Sequence, residues 1–150
     1  MARKEYLSYE ERLRFDSPPI LTNFQRAILL QLPEWAEQYY KTLTTATNQV
    51  GFLMQLGYFR IACRFLESLQ FRLEDITFVQ KAGKNIDPNE VDMLLYKQST
   101  SYYRHQLEIL SSLGFEAFSN HHRVILLKEA KRLAHQQVKP ASIVDSCITY

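Results

Sequence analysis

The chain has 150 residues, 46% of them hydrophobic, with nine Phe, nine Tyr, one Trp and a formal net charge of +2. That length fits one domain able to bury about 68–70% of its unfolded surface. Four Gly and five Pro argue against an all-β fold, which needs a turn every 8–12 residues or so.

In chain order, the opening Met-Ala-Arg-Lys-Glu carries charges of both signs and no apolar run, so it is not a secretory signal. Residues 5–14 read as a short charged helix, followed by a loop at Phe15-Asp-Ser-Pro-Pro19. Thr22 can cap a helix to Gln31, and Pro33 stands at the first turn of a helix through Tyr40. A central helix is expected over residues 45–69. Its core, Val50 to Leu66, is apolar, aromatic or small apart from Gln55, Arg60 and Arg64, which makes a helix buried almost all the way round. The uncharged run Val50–Phe59 is about half of what a bilayer requires, so no membrane partner is expected. Gly57 costs roughly 1 kcal/mol relative to Ala inside a helix and marks a close helix–helix contact. Cys63 within this segment and the distant Cys147 read as reduced core residues.

Residues 74–82 form a further expected helix, with Gly83 as its C′ residue and with Glu74 and Asp75 as solvated first-turn charges. Asp87-Pro88-Asn-Glu90 is a helix start. Ser99 or Thr100 opens a helix that carries Tyr103, Leu107 and Leu110 on one face and stops at Gly114. Ser119 caps a helix to Gln137, and Pro140 begins another with Ile143, Val144, Cys147 and Ile148 on one face. The sequence stops within that pattern, which reads as the front piece of a longer protein. The expectation is an all-α, single compact domain of seven to eight helices, with residues 1–139 as its body and 140–150 as the start of a following helix.

Catalytic signatures are missing from the sequence. There is no phosphate-binding glycine loop, nucleophile elbow or Cys-x-x-Cys pair. His121 and His122 diverge by about 100° on a helix and do not readily share a metal. A small helical enzyme would need a convergent set of titratable groups, and the sequence shows none.

Charge is unevenly distributed. Residues 119–139 carry Arg123, Lys128, Lys131, Arg132 and Lys139 against Glu129, while residues 67–92 are net acidic. On a helical wheel His121, Lys128, Lys131, Arg132 and His135 share an arc of about 100°. That arc is either an ordinary solvated face or a track for phosphates. The stretch Ser99-Thr-Ser-Tyr-Tyr-Arg-His-Gln106 likewise has two readings. It is a simple cap with an Arg104–Glu108 pair, or a phosphate site in which Tyr102, Arg104 and His105 touch nucleic acid. Arg60 and Arg64 are the solvated edge of the central helix, or a further phosphate contact.

Three blocks in order resemble the N-terminal domain of Tn-three-family transposases. The first is Asn48-Gln-Val-Gly-Phe-Leu-Met-Gln-Leu-Gly-Tyr-Phe-Arg-Ile-Ala-Cys-Arg-Phe-Leu66. The second runs from Tyr96 through His105 to Leu113-Gly114-Phe115 and Phe118, where Tyr102 and Tyr103 stand close to positions that are richer in arginine in the family. The third is the helix after Phe118 with the amphipathic start at Ala141. The resemblance implies a bacterial, nucleoid-associated protein that binds double-stranded DNA at transposon terminal inverted repeats and works with the remainder of the transposase chain. The Asp-Asp-Glu catalytic domain and its divalent metal would lie outside these residues, leaving a non-catalytic fragment without cofactor, metal or small-molecule substrate. The DNA-contact candidates are Arg104, His105, Lys128, Lys131 and Arg132, then Arg60, Arg64, Tyr102 and His121. The alternative is a protein–protein interaction module working through the acidic middle and exposed Tyr39, Tyr40 or Phe118.

Overall fold

The computed structural model describes residues 7–82, 86–136 and 139–149. Those residues form nine α-helices, two single 3-10 turns and no strand, so the chain is all-α. The helices are α1 (Tyr9–Asp16), α2 (Asn23–Ile28), α3 (Glu34–Thr42), α4 (Ala46–Ala62), α5 (Leu73–Ala82), α6 (Met93–Gln98), α7 (Thr100–Ser112), α8 (Asn120–His135) and α9 (Pro140–Thr149). The expected positions Glu5, Gly83 and Gln137 lie outside the described residues.

The chain divides into two compact units. One is Pro18–Glu116; the other combines the stretch up to Ser17 with the stretch from Ala117 onward. In the first unit α4 is the axis, packing against α5, α6 and α7. Every residue from Val50 to Phe59 is buried, as an apolar surface around the whole circumference requires. Gly57 does mark a close approach, since a Cβ there would fall on Leu29 Cδ2. Gly51 marks a second: a Cβ would enter the ring of Tyr96.

Several boundaries differ from the sequence expectation, each for a local reason. α4 ends at Ala62 instead of continuing to Leu69, because Cys63 takes a left-handed conformation (φ 55°) while its N–H donates to Phe59 O at 2.8 Å. A side chain there points away from the helix, so Cys63 is exposed and not a core residue. Asp87-Pro88 opens only a 3-10 turn over Pro88–Glu90, and the cap of the following helix is Asp92, whose carboxylate accepts from the Leu95 N–H at 3.0 Å. α7 ends at the expected place: Gly114 is left-handed (φ 75°), and Phe115 N–H donates to Leu110 O at 2.8 Å, closing the helix in the Schellman manner.

α7 turns a different face inward from the one its apolar pattern suggests. Tyr102, His105 and Ile109 are buried, whereas Tyr103 and Leu107 are 64% and 61% exposed. Polar bonds fix that rotation. Gln55 Nε2 on α4 donates to Tyr102 O at 3.1 Å and to Tyr96 Oη at 2.5 Å. The Tyr96 hydroxyl, already accepting from Gln55, donates to His105 Nδ1 at 2.6 Å.

A second buried polar cluster joins α2, α4 and α5. Asp75 is fully buried and is not the solvated first-turn charge expected of it. Its Oδ1 accepts from Arg26 Nε at 2.8 Å and its Oδ2 from Tyr58 Oη at 2.6 Å. The two bonds compensate a charge that would otherwise be costly to desolvate. Burial, followed by the bond to Asp75, pushes the Tyr58 phenol well above its ordinary value.

Candidate nucleic-acid interface

α8 is sixteen residues long and begins at a cap in which Ser119 N–H donates to His122 Nδ1 at 3.1 Å. Along it His121, Lys128, Lys131, Arg132 and His135 are all exposed. Five side chains able to carry positive charge thus share one solvent-facing arc of one helix. Within it, Arg132 makes a two-pronged bond to Glu129, at 2.6 and 2.9 Å, and holds that carboxyl below its ordinary value. Among the described residues no carboxylate pairs with Lys128 or Lys131, so these two carry the arc's uncompensated charge. Lys139, just before α9, is also exposed.

The candidates in the Pro18–Glu116 unit fall differently. Arg104 is exposed on α7 and makes no ion pair with Glu108, whose carboxylate accepts from Ser112 Oγ at 3.3 Å. Arg60 lies at the exposed end of α4, and its Nη1 donates to Gln31 O at 2.5 Å, stapling the turn after α2. Arg64 is half-buried just beyond α4. Two candidates are corrected outright. His105 is 1% exposed, with Tyr39, Phe52 and Tyr96 within 6 Å ring to ring. Tyr102 is buried, with its hydroxyl donating to Leu66 O at 3.2 Å. Neither reaches a phosphate from that position. Both stand one helical step from exposed neighbours, Arg104 and Tyr103, and the sequence offered two adjacent tyrosines between which only the Gln55 network discriminates.

His105 is held neutral by its surroundings. Burial, with the nearby Arg104 charge, lowers it from its ordinary value to about 4, and the Tyr96 hydroxyl at Nδ1 selects the Nε2–H tautomer. Of the aromatic residues suggested as a partner surface, Tyr40 is buried, Tyr39 is half-buried and Phe118 is 68% exposed, its ring tilted over His122 at 6.1 Å.

Among the described residues no group of three or more His, Cys, Asp or Glu side chains could hold a metal ion. No helix among them is long and apolar enough to cross a membrane.

No curated protein and no solved structure matches the chain. One family model does, over residues 6–150, and the chain therefore belongs to the family described as a domain of unknown function (DUF4158).

Proposed function

We propose that this member of the family is the DNA-binding front part of a Tn-three-type transposase. It would recognise double-stranded DNA at the terminal inverted repeats and catalyse nothing itself. Strand chemistry would belong to an Asp-Asp-Glu domain outside these residues, and the bound state would sit on the bacterial nucleoid. The observation that carries the reading is the arc on α8. Lys128 and Lys131 are exposed and pair with no carboxylate among the described residues, with His121, Arg132 and His135 beside them on the same helix. Such an array follows a phosphate backbone and releases counterions on contact. The identity of the DNA comes from the resemblance of the Asn48–Leu66 block and the two blocks after it to that transposase family. Arg104 on α7 is a second cationic contact in the other unit. His105 and Tyr102 act only by shaping the helix that presents it.

The test is fluorescence anisotropy of the chain on a labelled transposon-end duplex and on a scrambled duplex, across about 50 to 200 mM salt. The end should bind more tightly, with affinity falling steeply as salt rises. Lys128→Ala with Lys131→Ala should weaken both duplexes and flatten the slope of log K against log salt by about 1.8. Absence of binding to either duplex at the lowest salt would refute the reading.

A further inference from the structure

α8 and α9 pack on each other, and a groove of about 500 Å³ runs between them. α8 contributes Leu127, Ala130, Lys131 and Ala134; α9 contributes Ile143 and Val144. Ala130 and Ala134, four residues apart, form a floor low enough for another helix to approach closely. Leu127 remains 51% exposed at its edge, and Val124, one turn earlier, is 52% exposed. The unit has little else to bury: among its described residues Leu133 is the one buried hydrophobic side chain.

Charge then narrows what fits. The groove is lined by a lysine and no carboxylate. Of the acids that α8 and α9 carry, Glu129 is engaged by Arg132, and Asp145 accepts from Arg14 at 3.2 Å. Lys131, with Lys128 beyond it, faces any occupant without a carboxylate partner. A cation covered in that state is costly unless the incoming surface supplies the carboxylate.

We propose that the α8–α9 groove is a docking site for an amphipathic helix of a protein partner, its apolar stripe seated over Ala130 and Ala134 and its flanking carboxylates on Lys131 and Lys128. Anchors at i, i+3, i+4 and i+7 match a floor formed between two packed helices. The partner buries the apolar strip that the unit leaves open. Leu127, Ala130, Ala134, Ile143 and Val144 have no part in the DNA reading; Lys128 and Lys131 serve both, so an acidic helix and a phosphate backbone compete for them.

The experiment uses the full chain and two fluorescein-labelled synthetic helices of about 18 residues. Both carry Leu at the anchor positions; one is flanked by Glu and the other by Lys. The Glu probe should bind and the Lys probe should not. Lys131→Glu should invert that preference. Leu127→Gln, which changes no charge at a half-exposed site, should weaken the Glu probe about ten-fold with helix content by circular dichroism unchanged. Anisotropy on a DNA duplex, run on the same preparations, reads the phosphate-facing arc separately, and Leu127→Gln should leave its salt slope in place. Equal binding of both probes, binding of neither, or a Glu probe indifferent to Lys131→Glu and Leu127→Gln would overturn the proposal whatever the DNA arm shows.

Discussion

The imidazole of His105 works as a neutral acceptor in the core, and that gives it a pH signature. Its folded value, about 4, lies below the roughly 6.5 of an exposed histidine, so the unfolded chain takes up the proton first as pH falls. Stability is complete above about pH 6.5 and declines toward pH 4; the loss is about 2 kcal/mol by pH 5 and about 3 kcal/mol by pH 4. Urea unfolding at a series of pH values should show this fall, and His105→Asn, which keeps an acceptor near Nδ1 but does not titrate, should remove most of it. The same variant should bind DNA as the parent does at pH 7. At Cys63 the backbone stands at φ 55°, a region that costs a non-glycine residue about 1 kcal/mol or more. Cys63→Gly should therefore raise the melting temperature by about 2–4 °C, and Cys63→Ala should not. Neither residue was legible in the sequence. His105 stands in a polar run, Thr100 to Gln106, that resembles a solvated helix start. Cys63 stands in an apolar run that resembles unbroken helix. What decides each is a partner or a backbone angle that sequence does not carry.

Among the elements, α4 was legible and α7 was not, and the contrast has a physical basis. A helix apolar around its whole circumference is buried whichever way it is rotated, so composition alone placed Val50 to Phe59 in the core. α7 has two half-apolar faces, one with Tyr103 and Leu107 and one with Tyr102 and Ile109. The choice between them rests on Gln55, 47 residues away from its acceptor at Tyr102. Asp75 was hidden in the same way: at the start of α5 it looks like a dipole-complementing charge, and its true partner Arg26 is 49 residues distant. The cationic arc of α8 was legible because a solvent-facing pattern needs no partner to define it. The two glycines of α4 make the packing testable. Gly51→Ala would drive Tyr96 off Gln55 and His105 and should destabilise by about 2–3 kcal/mol. Gly57→Ala presses on Leu29 Cδ2, the end of a side chain that can rotate, and gains about 1 kcal/mol of helix propensity. It should cost no more than about 1 kcal/mol. Chemical denaturation of the two variants side by side distinguishes them.

On the scale of the whole molecule, charge and burial are both divided between the two units. The unit built from the terminal stretches has nine basic and six acidic residues, net +3. The Pro18–Glu116 unit has nine and ten, net −1. Burial runs the other way. The core cluster draws all its members from Pro18–Glu116, whereas Leu133 is the one buried hydrophobic among the described residues of the other unit. Hydrogen exchange should show this as two levels of protection, with α4 amides opening only on global unfolding and α1, α8 and α9 amides exchanging through cheaper local openings. Uniform protection across α4 and α8 would contradict it. The division also sets an order of events on the ribosome. Everything needed for the Pro18–Glu116 core is synthesised once residue 116 has been added, so that unit can form while the chain is still growing. α1 is made before that core, yet the partners it shares a unit with are made after it. The nascent chain therefore carries a tethered, unsatisfied segment throughout the synthesis of its own core.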